Sequence, residues 1–70
     1  MPSLVIRRFL YLPHTHELTI EFVTGRRYVY SDVPEEEVQA FRSAFSKGAY
    51  FNRYIRDRFP CREIYSAGAN

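Results

Sequence analysis

The chain predicts an α+β domain: a three-stranded antiparallel β-meander followed by two helices packed on one face of the sheet. Three observations lead there. "ELTIEFVTG", Glu17 to Gly25, alternates apolar and polar residues, as a strand with one buried and one wet face does. "DVPEEEV", Asp32 to Val38, sets a proline and three glutamates at the start of an apolar-periodic stretch. Proline fits the first turn of a helix, and the helix dipole favours anions there. From Val38 onward the apolar spacing changes to Phe41 and then Ala44 or Phe45, which is helical.

The first strand is "SLVIRRFLYL", Ser3 to Leu12, ended by Pro13. Ile6 and Phe9 are an odd distance apart, so a regular pleat sends them to opposite faces. Both reach the core only if the strand bulges near Arg7-Arg8. Pro13 to His16 is a turn. The second strand is joined to a third, "RRYVYS", through Thr24-Gly25. A three-residue loop, Val23-Thr24-Gly25, pairs Ile20 with Tyr28 and Leu18 with Tyr30. A two-residue loop instead puts both tyrosines opposite Glu21 and Thr19. The first register gathers Leu18, Ile20, Phe22, Tyr28 and Tyr30 on one face and asks for a left-handed Gly25, so it is preferred. The first helix runs from Pro34 to a stop at Gly48, with Lys47 in its last turn. The second runs from about Tyr50 to Phe59 and is ended by Pro60. "CREIYSAGAN" adds a short extended piece before a frayed end.

Seventy residues make one domain, placed at residues 3–65 with a disordered tail at 66–70. A domain of this size buries only about 60% of the surface of its unfolded chain. Cys61 is the sole cysteine, so neither an internal disulfide nor a four-ligand zinc site holds it together. Six tyrosines and six phenylalanines are then the material of the core. A lone thiol, no apolar run near 18 residues and no signal-peptide pattern lead to the expectation of a cytoplasmic protein without a membrane span.

Net charge is +2, but residues 47–62 carry Lys47, Arg53, Arg56, Arg58 and Arg62 against Asp57 alone. Within this stretch "GAYFNRYIRDRFP" interleaves rings and arginines. On a helical wheel they separate: Tyr50, Phe51, Tyr54, Ile55 and Phe59 share one arc, while Asn52, Arg53 and Arg56 share the other. Phe51 and Ile55 are expected in the core. Arg58 falls inside the apolar arc, so it must snorkel or meet a carboxylate.

The matching motifs are Tyr11, the "L.I.F..G" of Leu18, Ile20, Phe22 and Gly25, and Tyr28-Val29-Tyr30. To these are added Val33-Pro34, "A.S.G.YFN..IR" from Ala44 to Arg56, and Phe59. From about Ser3 to Phe59 the chain resembles the KTSC domain family, found alone in bacterial and phage proteins and at the C-terminus of some lysyl-tRNA synthetases. Phe45 departs from it, standing where a smaller or more polar residue is expected. The resemblance implies no catalytic residue and no cofactor, and its synthetase association implies an RNA setting.

Other chemistry has little support. His14 and His16 lack a third ligand nearby, three adjacent glutamates at a helix start serve the dipole, and no family spacing joins Cys61 to a histidine. The expected function is a small non-catalytic module binding RNA or tRNA through a basic surface of Arg26, Arg27, Lys47, Asn52, Arg53 and Arg56. Such cations hold phosphate without reading sequence. The alternative is a protein–protein adaptor anchored on arginine and tyrosine. Tyr28 and Tyr30 resemble a base-stacking pair, but the preferred register puts them under the helices. Charge continuity discriminates. One joined patch favours RNA; a carboxylate such as Asp57 or Glu21 beside each arginine opposes it.

Overall fold

The structure, a computed structural model, describes residues 5–65. The tail assigned to 66–70 and the domain boundary at Ser3 lie outside the described residues. Four strands form one antiparallel sheet in sequence order: β1 (Ile6–Leu12), β2 (Glu17–Phe22), β3 (Arg27–Tyr30) and β4 (Cys61–Ile64). The expected three-stranded meander is its first three strands. The fourth corrects that expectation. The second helix ends at Ile55, short of the expected Phe59, and the chain turns through 56–59 to Pro60, whose carbonyl accepts the Ser31 amide at 2.8 Å. The chain is thereby set down along β3, whose outer edge would otherwise leave a row of backbone groups unpaired.

Both register expectations hold. Leu18 pairs with Tyr30 and Ile20 with Tyr28, and Gly25 closes the hairpin at φ 94°. The β1–β2 pairing slips between Ile6 and Arg8. That bulge brings both Ile6 and Phe9 against the core. Side-chain alternation then fixes the two faces. Phe9, Tyr11, Leu18, Ile20, Tyr28, Tyr30, Cys61 and Glu63 project towards the helices. Arg8, Thr19, Glu21, Arg27, Val29 and Arg62 project from the opposite face.

The first helix, α1 (Glu35–Ser43), carries the three glutamates in its first turn and buries Val38 and Phe41. It ends earlier than expected. Ala44 is extended (φ −66°, ψ 142°), Phe45 is fully exposed (108%), and Gly48 is not a stop. Ser46 caps a new helix instead: its hydroxyl accepts the Ala49 amide at 3.2 Å, a local bond that favours a fresh helix start over continuation. This helix, α2 (Lys47–Tyr50), runs directly into a π-helical segment, Phe51–Ile55. The widened turn is closed by the Arg56 amide on the Phe51 carbonyl at 2.9 Å.

The core lies between sheet and helices and is rich in rings. Leu18, Ile20, Tyr30, Val33, Val38, Phe41, Phe51 and Ile55 are buried, with Phe22, Tyr28, Tyr50 and Phe59 packed on them. Phe41 meets Phe9 edge-on at 4.8 Å, and Phe51 meets Phe22 at 5.5 Å and Tyr30 at 5.3 Å. Edge-to-face pairs add about 0.5–1.5 kcal/mol beyond area burial. Asp32 turns the chain from β3 into α1 in the left-handed region, φ 62°, which Asp tolerates better than most residues. Tyr11 braces this turn by donating its hydroxyl to the Val33 carbonyl at 2.8 Å.

Phe51 and Phe45, both in the helical half, therefore have opposite fates under mutation. Phe51→Ala removes a buried ring and is expected to cost about 3–5 kcal/mol in urea unfolding. Phe45→Ser should change stability by less than about 0.5 kcal/mol. A small loss at Phe51, or a large one at Phe45, would contradict this packing.

Candidate nucleic-acid interface

The arginines divide into those with carboxylates and those without. On the open face of the sheet, Glu21 meets Arg8 at 3.1 Å and Arg7 at 3.8 Å, and Arg62 reaches across β3 to Glu17 at 3.7 Å. On the helix side, Arg26 makes a two-pronged pair with Glu63, both contacts at 2.9 Å. Arg58, the residue stranded in the apolar arc of the wheel, finds Glu37 at 3.5 Å and lies over the Phe59 ring. Arg42, Lys47, Arg53 and Arg56 have no carboxylate at ion-pair distance among the described residues.

The six candidate residues thus do not form one surface. Arg27 projects from the open face beside Glu21, the side opposite the helices. Arg26 lies over the Tyr28 ring at 5.7 Å with its charge matched by Glu63. That hydrogen-bonded pairing holds the Glu63 carboxyl below the usual carboxylate range, against the opposing effect of burial. The sequence could not reveal this partner, because Glu63 reaches Arg26 only through β4. What the structure does bring together is Asn52, Arg53 and Arg56, all exposed on the π-helical segment and its end. Arg56 donates to the Asn52 Oδ1 at 2.9 Å. Asn52 is neutral, so it orients the guanidinium without cancelling its charge. Arg53 lies over the Tyr54 ring at 5.7 Å, and Lys47 opens α2.

Arg56 also stands at the mouth of a cleft of about 300 Å³ between this segment and the β3–β4 edge, lined by Phe22, Tyr28, Tyr30, Phe51, Arg56, Asp57 and Cys61. Tyr30 and Phe51 are buried and Phe22 and Tyr28 half-buried, while Arg56, Asp57 and Cys61 are exposed. Burial, more than its contact with the Cys61 thiol, pushes the Tyr30 hydroxyl well above the ordinary tyrosine range; Arg56 pulls the other way. The preferred register puts both tyrosines under the helices. They do lie on the helix side, with Tyr30 4% exposed, but their outer edges line this cleft. No spacing in the sequence joins Asp57 and Cys61 to it, since they meet Phe22 and Tyr28 only once the layers close. Among the described residues no group of three metal-ligating side chains occurs, and no helix is long and apolar enough to cross a membrane.

A four-stranded antiparallel sheet with two helices on one face, and cations concentrated on the second helix, defines a class of small α+β domain. The profile of the KTSC domain matches residues 2–59, and the chain belongs to that family. It is similar to the lysine–tRNA ligase of Nostoc punctiforme, 38% identical over 60 residues that cover 86% of this chain and 11% of the ligase. The ligase of a second Nostoc strain is 36% identical over 59 residues, 84% of this chain and 10% of that protein. The chain thus spans about a tenth of these relatives. An uncharacterized protein of Stutzerimonas stutzeri is 38% identical, over 80% of this chain and 79% of its own. The crystal structure of a KTSC domain protein from Yersinia pestis superposes with a TM-score of 0.82 at 39% identity, covering 93% of this chain and 92% of that one.

The helix that carries the cations is held to α1 by Glu37, which accepts from the Tyr50 hydroxyl at 2.5 Å and pairs with Arg58. Burial first, then Glu37, pushes the Tyr50 hydroxyl up to about 12 from an ordinary 10.0. The folded state holds this proton more tightly than the unfolded chain does. Its contribution to stability is intact below about pH 10 and is lost as pH rises through about 12. Urea midpoints measured across this window should fall, and Tyr50→Phe should flatten the fall. An equally steep decline in that variant would assign the alkaline sensitivity elsewhere.

Proposed function

We propose that this domain is a non-catalytic module that binds single-stranded RNA, including exposed single-stranded parts of tRNA, along the outer side of its second helix. The observation that carries the reading is the contrast among the arginines. Arg7, Arg8, Arg26, Arg58 and Arg62 each lie at ion-pair distance from a carboxylate, Arg7 and Arg8 sharing Glu21, whereas Arg53 and Arg56 form no ion pair among the described residues, with Asp57 bordering the same cleft as Arg56. A fold that matches most of its arginines but leaves these exposed has a local positive field suited to phosphate. Arg53, Arg56, Lys47 and Asn52 are the contacts. Arg26 and Arg27 of the wider expected surface play no part, since one is matched by Glu63 and the other lies across the sheet. The presence of similar domains within lysine–tRNA ligases supports RNA as the ligand and a cytoplasmic setting. The protein-adaptor reading has its own support in Phe45, a bare ring between Arg42 and Lys47.

Two or three neutralised phosphates on a single strand give a slope of log affinity on log salt of about −1.4 to −2.1. A titration of labelled protein with single-stranded RNA and with tRNA should show that slope, with amide shifts at Asn52, Arg53 and Arg56. R53E/R56E should lose most of the affinity while unfolding at the same urea concentration, because neither side chain is in the core. If the reversal leaves affinity unchanged, or no shift occurs at low salt, the RNA reading fails and the adaptor reading gains.

A further inference from the structure

The cleft beside Arg56 has a composition that phosphate binding does not use. Four rings, of Phe22, Tyr28, Tyr30 and Phe51, line it beside Arg56, Asp57 and Cys61. Phe22 meets Tyr28 at 5.9 Å and Phe51 at 5.5 Å, and Tyr30 meets Phe51 at 5.3 Å, all near-perpendicular. This edge-to-face packing seals Phe51 and Tyr30, 1% and 4% exposed, so the ring surface open to a ligand is that of the half-buried Phe22 and Tyr28. At about 300 Å³ it stands at the small end of ligand clefts, about 300–1,000 Å³. That is room for one flat ring and not for a large cofactor.

The polar groups at its rim are also distinctive. Arg56 is charge-unmatched and oriented by Asn52. Asp57, its neighbour in sequence, has neither an ion pair nor a hydrogen bond among the described residues, although both line the same cleft. The rim therefore offers a cationic donor fork and a bare carboxylate side by side, above apolar rings. A ligand complementary to all three has an anion, a flat apolar face and an edge that donates hydrogen bonds. A nucleotide has these parts: phosphate for Arg56, a base for the rings, and the amino-bearing edge of that base for Asp57. Carboxylates accept from exocyclic amino groups such as cytosine N4. Uracil is the poor match, because two carbonyl oxygens flank its single edge N–H and would face the carboxylate.

We infer that the cleft lined by Tyr28, Tyr30, Phe51, Asp57 and Cys61 takes one unstacked, amino-bearing base of a single-stranded nucleic acid whose phosphate lies on Arg56. The inference rests on the RNA reading and adds to it a base pocket with a preference. Stacking of a base on protein rings strengthens binding by about 5- to 150-fold, and a half-open cleft belongs at the lower end.

The test compares short RNA oligomers of equal length and phosphate count: oligo(A), oligo(C), oligo(U) and an abasic chain. Oligo(A) and oligo(C) should bind the wild-type protein at least about five-fold more tightly than the abasic chain, with oligo(U) weaker than either. Shifts at Tyr28, Asp57 and Cys61 should accompany the base-bearing oligomers alone. C61F, which fills the cleft from its exposed rim, should reduce oligo(A) to the abasic level and leave abasic binding intact. D57N should narrow the gap between oligo(A) and oligo(U). Equal affinity for abasic and base-bearing chains, with shifts confined to Lys47, Asn52 and Arg53, overturns the base pocket and leaves phosphate binding standing. Binding of none of the four overturns both.

Discussion

Phe51 sits where the second helix meets the sheet, touching Phe22 on one side and Tyr30 on the other. The rest of the structure depends on this seam of rings. A chain with one cysteine has no covalent staple, so the sheet and helices must be joined by side chains large enough to span the gap. Aromatic residues do that with few positions, and their edge-to-face packing limits how the layers slide. Once Phe51 is seated, Ile55 follows it into the core four residues on, and Asn52 and Arg53 are forced outward. The same constraint that closes the core thus sets the cations on the surface.

A small domain also has to place its charges economically in space. Its arginines are matched chiefly across strands and between layers: Glu21 and Glu17 serve the open face, Glu63 joins β4 to the hairpin, and Glu37 joins α1 to the second helix. Exposed pairs of this kind are worth little to stability individually, about 0–1 kcal/mol. Their consequence here is electrostatic shape. Over the sheet, Glu17 and Glu21 offset part of the charge of Arg7, Arg8, Arg27 and Arg62, while Arg53 and Arg56 on the second helix form no ion pair among the described residues. A modest net charge of +2 therefore coexists with a local cationic surface, which is the property the proposed function uses.

The π-helical segment links packing to the site. Its wide turn ends with the Arg56 amide on the Phe51 carbonyl, and the side chains of Phe51, Arg56 and Asp57 all border the cleft. Segments of this kind are rare and occur often at functional sites. In this domain it carries the chain from core residue to cleft rim within one turn.

Much of this was legible in the sequence. Period-two alternation with Gly25 determined the β2–β3 register, because a one-residue slip would turn Leu18, Ile20 and Phe22 to water. The odd spacing of Ile6 and Phe9 determined the β1 bulge, and helical periodicity determined that Phe51 and Ile55 are core while Arg53 and Arg56 are not. These are local rules, readable from neighbours in the chain. Of the three remaining features, two are not local and one is a competition between local signals. The fourth strand exists because β3 has an open edge for Cys61–Ile64 to pair with. The break at Ala44 and Phe45 arises because Ser46 starts a new helix, which overrides the apolar spacing that pointed to continuation. The pairing of Arg26 with Glu63 and the assembly of the cleft from Phe22, Tyr28, Asp57 and Cys61 join residues more than thirty apart. Distances of that kind are settled only when the layers close. The sequence alone determined the strand register and the burial of Phe51 and Ile55, because those follow from neighbours in the chain; tertiary structure decided that Phe45 and Tyr54 stay exposed and which outward charges meet a partner.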